Sequence, residues 1–137
     1  MTSELIFTNG SIILHDEIVQ GTLVVRDGKI ADISTGSSVS GIDLGGDTIM
    51  PGCVELHTDH LETHFQPRPK VRWNMDAALQ AHDGQIATSG ITTVFDALRV
   101  GMDGDTELGA PEMSAMARTI STASAANRLR AEHFIHL

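Results

Sequence analysis

Thr48-Ile-Met-Pro-Gly-Cys-Val-Glu-Leu-His-Thr-Asp-His-Leu-Glu-Thr-His64 is an apolar run, led in by Pro-Gly, that ends on metal-ligating side chains. Residues 57–64 hold five of them: His57, Asp59, His60, Glu62 and His64. If the run ends as a strand, His57 and Asp59 leave the same face and can converge on one ion. Neutral imidazole with carboxylate suits Zn, Mn, Fe or Ni better than it suits a structural thiolate site. His60, Glu62 and His64 fall beyond the strand in an expected βα loop, as supporting groups, substrate groups or solvated loop residues.

Upstream, short β-branched runs alternate with turn dipeptides: Leu5 to Thr8, Asn9-Gly10, Ser11 to Leu14, Thr22 to Arg26, Asp27-Gly28, Lys29 to Ile33. That spacing predicts small antiparallel strands. Ser34 to Gly41 reads as an exposed loop, and Gly45-Gly46 as a turn before the apolar segment Thr48 to Leu56. Residues 1–47 are therefore expected to form a small β-sandwich-like domain.

Downstream, strands alternate with helices. Asn74 can cap a helix running to about Ser89, with Gly90 as its left-handed stop. Ile91-Thr-Thr-Val-Phe has the content of a strand, with Asp96 just beyond it. Pro111 and Glu112 open a second helix, and Arg128 and Arg130 sit near its expected end with the sign the helix dipole prefers. His133 to Leu137 reads as the opening of a third strand. The order β, α, β, α, β implies parallel strands with right-handed crossovers. Two and a half such units neither close a barrel nor cover a sheet. Residues 48–137 are thus expected to be the truncated start of a TIM-like (β/α)8 barrel in an α/β protein, with self-association through exposed strand edges.

The 137 residues are 41% hydrophobic with a formal charge of −9, which argues against nucleic-acid binding, because attraction to phosphate needs a basic surface. One cysteine, Cys53, excludes an intrachain disulfide and reads as a small buried hydrophobe. Neither a signal peptide nor a membrane span is evident, so a cytoplasmic protein without a membrane partner is expected. Positive charge is local: Arg68, Lys70 and Arg72 follow the ligand cluster closely, as an anion-binding group or a solvated loop.

In parallel α/β folds, sites form at the carboxyl ends of strands. Asp96 lies at one and is the candidate catalytic residue, as a late metal ligand, a proton shuttle or a strand-end cap. His82 shares a helical face with Leu79 and Ile86 and reads as a hydrogen-bonded core histidine rather than a ligand. Met113, Met116 and Ile120 read as a buried stripe. His133 and His136 are three apart in a strand, so they point to opposite faces and at most one serves a site.

The run from Gly41 to Asp59 resembles the barrel entrance of the amidohydrolase superfamily. More narrowly, Glu55-Leu-His-Thr-Asp59, Leu61-Glu62, Pro67-Arg-Pro69, Ala81-His-Asp83 and Gly90-Ile-Thr-Thr-Val-Phe-Asp-Ala97 resemble the PhnM family of phosphonate metabolism. The resemblance implies a metal-dependent diphosphatase that hydrolyses α-D-ribose 1-methylphosphonate 5-triphosphate to the 5-phosphate and pyrophosphate. It also implies a divalent metal, Zn or else Mn, Fe or Ni, on His57 and Asp59. A divalent ion acidifies water and offsets phosphoryl charge. Arg68, Lys70 and Arg72 would then bind substrate phosphates, Arg68 foremost for its planar fork. Members carry Asn where this chain has His60. Two other readings are an amidohydrolase cleaving a cyclic amide or amine, and a catalytically dead remnant that binds a partner.

Overall fold

A computed structural model describes residues 3–99 and 108–136. The chain divides into two units, Met1–Pro51 and Gly52–Leu137.

In the first unit, β1 (Glu4–Ile13), β2 (Ile18–Arg26) and β3 (Lys29–Thr35) pair antiparallel. The short β4 (Ile42–Asp43) and β5 (Thr48–Ile49) add parallel to β1. The Asp27-Gly28 turn has both residues at positive φ, 50° and 75°, the twist a two-residue hairpin needs. Asn9-Gly10 is different. Sequence reading makes it a turn between two strands, but β1 runs through it and carries a bulge between Phe7 and Gly10. Asn9 sits at φ 56° and its side-chain amide donates to Asp43 at 2.9 Å. That local bond satisfies the kinked backbone without reversing the chain. At Gly21 a β-carbon would stand 1.9 Å from the Ser34 carbonyl oxygen. Gly21→Ala is therefore expected to cost about 1–3 kcal/mol through backbone displacement. An unchanged urea midpoint by far-UV circular dichroism would show that β3 moves aside freely.

The segment Thr48 to Leu56 is not one strand. Thr48–Ile49 belongs to the first unit, and β6 (Cys53–Thr58) begins the second after Pro51-Gly52. Proline lacks the N–H a continuing ladder would require. In the second unit β6, β7 (Ile91–Ala97) and β8 (Glu132–His136) form a parallel sheet in the order β6-β7-β8. Leu137 lies outside the described residues. The expected loop after β6 contains a short helix, α1 (His60–Phe65), which buries Leu61 and Phe65. α2 (Met75–Thr88) starts where Asn74 Oδ1 accepts from the Ala77 amide at 3.1 Å, and Gly90 follows its end at φ 77°. α3 (Ala110–Ala125) buries Met113, Met116, Ile120 and Ala123. It ends before Arg128 and Arg130, because Asn127 turns left-handed at φ 51°. Arg128 instead pairs with Asp76 at 3.2 Å.

Leu61, Leu79, Leu98, Met116 and Ile120 lead the core between the three helices. The strands alternate about the sheet: Val94, Asp96 and His133 face the helices and are buried, while Phe95 and Phe134 stack at 5.2 Å on the opposite face. Cys53 is exposed rather than buried, at the start of β6, an edge strand of its sheet among the described residues. Among the described residues no helix is long and apolar enough to cross a membrane.

Candidate functional site

His57 stands next to the end of β6 on the face away from the helices, and His136 ends β8. Their rings meet edge to face, 5.2 Å apart at 82°. With Asp59, Glu62, Ala97, Leu98 and Arg99 they line a pocket of about 280 Å³ at the carboxyl ends of the parallel strands. This is the edge on which such sheets build sites. Asp59 takes the N-cap position of α1, yet its side chain makes no capping bond, so its carboxylate is left to the pocket. Arg99 Nη2 stands 3.7 Å from Asp59 Oδ2, with the two side chains 41% and 57% exposed. Such a long, solvated pair holds neither partner tightly. Glu62 Oε1 is buried and has no hydrogen-bond partner among the described residues. Burial pushes the Glu62 carboxyl above its ordinary value, with Arg99 opposing and Asp59 reinforcing.

Asp96 is elsewhere. Its side chain is fully buried on the helix side of β7 and does not line this pocket, because the alternation of β7 points it opposite to Phe95 and Ala97. His82 Nε2 donates to Asp96 Oδ1 at 2.7 Å and His133 Nδ1 to Asp96 Oδ2 at 2.7 Å. His133 Nε2 reaches Asp83 Oδ1 at 3.3 Å. Asp83 in turn accepts from the Arg130 and Ala131 amides and from Arg130 Nη1 at 2.9, 3.1 and 2.8 Å. His82 thus joins a buried network, as its helical face suggests, while its Nδ1 has no partner among the described residues. The possible ligand atoms of His82, Asp96 and His133 lie within 4.8 Å of one another. The geometry is that of hydrogen bonds: ligands about 2.0 Å from a tetrahedral ion stand about 3.3 Å apart, and here each carboxylate oxygen is 2.7 Å from a ring nitrogen.

Burial pushes the Asp83 and Asp96 carboxyls up, but their hydrogen bonds outweigh it and hold both below the ordinary value of 3.8. Burial likewise lowers His133, and bonding to Asp96 and Asp83 outweighs it, raising the imidazole above 6.5. The linkage signs follow. The carboxylates stabilise the fold above pH 3.8 and lose that contribution as pH falls through their depressed values. His133 stabilises below pH 6.5 and loses its share as pH rises through its raised value. Stability from this network is thus expected to be fullest between these limits. Urea midpoints across pH should decline on both sides, and His133→Gln should flatten the alkaline limb. An alkaline decline unchanged in that variant would assign it to another group.

The loop cluster does not line the pocket. Arg72 Nη1 donates to Glu112 Oε1 at 2.7 Å, and its guanidinium carbon lies 6.0 Å from the Phe65 ring centre. Glu112 Oε2 meanwhile accepts from the Gly109 amide at the start of α3, so Arg72 joins the loop to that helix. Arg68 bridges to Val71 in a tight turn with Lys70 at φ 63°. His64 Nε2 meets Gln85 Oε1 on α2 at 2.9 Å, and neither it nor His60 lines the pocket. Sequence reading missed Arg99; its position two residues past β7 was the available signal.

The chain is 37% identical, over 97% of its length, to the α-D-ribose 1-methylphosphonate 5-triphosphate diphosphatase of Escherichia coli (strain K12), of which it spans 36%. It is 33% identical over 68% of its length to a D-hydantoinase of Rhizobium radiobacter, spanning 20% of that protein. The crystal structure of a D-hydantoinase superposes with a TM-score of 0.63 at 21% identity, covering 98% of this chain and 27% of that one. No family model matches.

Proposed function

Since this chain belongs to the amidohydrolase superfamily, matching the N-terminal part of its diphosphatase relative, we propose that it serves a metal-dependent hydrolase of phosphate anhydrides. The proposed reaction adds water to α-D-ribose 1-methylphosphonate 5-triphosphate and gives the 5-phosphate and pyrophosphate. The observation that carries this reading is the identity along nearly the whole chain to a relative so named. The site chemistry is compatible. His57 and Asp59 line one pocket, and a buried carboxylate oxygen of Glu62 lacks a partner among the described residues, so the donors fit a divalent ion, Zn or else Mn, Fe or Ni. Such an ion, when bound, acidifies water and offsets charge on phosphoryl oxygens. His136 abuts the His57 ring and fixes its plane, and Ala97 and Leu98 give the pocket an apolar wall. Asp96 contributes by holding α2, β7 and β8 together rather than by touching substrate.

A catalytic metal centre uses about three protein ligands and an open position. The described residues bring His57 and Asp59 to the pocket with Glu62 and His136 beside them, and since the chain spans 36% of its diphosphatase relative, the 137 residues by themselves should turn over little substrate. It should also self-associate through exposed Val54, Leu56, Phe134 and Ile135, eluting in size-exclusion chromatography ahead of a monomer. A cytoplasmic location fits a small-molecule enzyme of this kind.

The likeness to D-hydantoinase favours a second reading, hydrolysis of a cyclic C–N bond. A chimera decides between them, with this chain replacing the matching N-terminal part of the Escherichia coli relative. Pyrophosphate release from the ribose triphosphate, with no opening of hydantoin, is expected. Ring opening without pyrophosphate release would reverse the assignment.

A further inference from the structure

Arg99 is the one fixed cation among the described residues that line the pocket. We infer that its guanidinium, rather than the loop cluster of Arg68, Lys70 and Arg72, binds phosphoryl oxygens of the substrate. This rests on the phosphate-anhydride reading above and goes beyond it in naming the residue that recognises the anion.

Position comes first. Arg99 lies two residues past β7, on the same strand-end edge as His57 and His136. The Arg99 guanidinium and backbone amide both act to lower the Glu62 carboxyl against its burial, which sets Arg99 beside a second acidic group of the pocket lining. Freedom to act comes second. The only ion pair Arg99 makes among the described residues is the 3.7 Å contact to Asp59, with both side chains well exposed. That distance is beyond a charge-assisted hydrogen bond, so several donors of the planar fork remain for an anion. Arg72, by contrast, is held at 2.7 Å by Glu112. Charge comes third. A chain of net −9 repels a polyphosphate as a whole, so recognition needs a cation inside the site. A guanidinium matches phosphoryl oxygens two at a time, as a lysine ammonium does not.

Asp59 and an incoming phosphate would compete for the same guanidinium, and this makes a test possible without metal. Tripolyphosphate binding to the 137-residue chain would be measured by calorimetry at low salt in chelator, alongside the Arg99 side-chain Nε–Hε signal by NMR. Arg99→Ala should weaken binding about tenfold or more, with Arg99→Lys intermediate. Arg118→Ala, which removes an equal charge on α3 outside the pocket lining, should change it by less than about twofold. Asp59→Asn should tighten binding, and Arg99→Ala should cancel that gain in the double variant. The Nε–Hε signal should shift with tripolyphosphate, and circular dichroism should match across variants. No detectable binding by the natural chain, a loss below about twofold in Arg99→Ala, or a gain that survives in the double variant would overturn the inference. Zn uptake by the same variants, measured in buffer free of chelator and tripolyphosphate, reports separately on His57 and Asp59. If Zn binds through them while Arg99→Ala changes nothing, only the Arg99 assignment fails; if the chain takes up no Zn while the Arg99 effects appear, the metal reading fails alone.

Discussion

Asp96→Ala is expected to destabilise the chain by about 3–5 kcal/mol, the usual cost of removing one member of a buried, paired charge network. The side chain is fully buried, and each of its oxygens takes one imidazole at 2.7 Å. Alanine would leave His133, already raised by its carboxylate neighbours, facing Asp83 alone, and His82 would lose its Nε2 partner in addition to an Nδ1 unpartnered among the described residues. The network spans α2, β7 and β8, so the loss should appear as cooperative unfolding of the second unit, read by the fluorescence of Trp73, the single tryptophan. A loss under about 1 kcal/mol would mean that water replaces the carboxylate and that the network is worth no more than a solvated pair. Metal uptake should survive the change wherever the variant still folds, since Asp96 points away from His57 and Asp59.

The second large effect has the opposite signature. His57→Ala or Asp59→Ala should weaken Zn binding by more than the roughly 10–100-fold lost when an outer-shell partner of a metal ligand is removed. Stability without metal should hardly move, because both side chains are exposed and carry no core packing. Competition against a chromophoric chelator measures the affinity, and a urea midpoint in chelator measures the stability. If Zn affinity stays unchanged in both variants and falls in His82→Ala, the ion belongs in the buried His82, Asp96, His133 cluster instead. The two experiments are therefore expected to cross, the buried network reporting on stability without metal and the His57–Asp59 pair on metal without stability.

Much of this was readable in order along the chain. Asp27-Gly28 named its turn, since few other pairs accept two positive φ values in succession. Asn74 and Gly90 named the ends of α2 through the backbone groups they satisfy or release. The separation of His133 from His136 followed from the two-residue period of a strand. Other features depended on what lay opposite. Asn9-Gly10 has turn composition, and it became a bulge because Asp43 was there to bond Asn9. Cys53 has the chemistry of a core residue and lies exposed at the start of a strand that is a sheet edge among the described residues. Arg72 has the charge of a phosphate ligand and was taken by Glu112, forty residues later.

Sequence by itself determined the α/β class, a small β-domain followed by parallel strands with their helices, and placed His57 and Asp59 about the end of a strand. Those follow from periodicity, turn chemistry and capping, each set by residues within a few positions of one another. Only the tertiary structure decided which ionisable groups share a space. It set Asp96 in a buried network with His82, His133 and Asp83, and set Arg99 and His136 on the lining of the strand-end pocket. The physical reason is that a side chain's role depends on the partners and dielectric around it, and those come from residues 14 to 50 positions away along the chain.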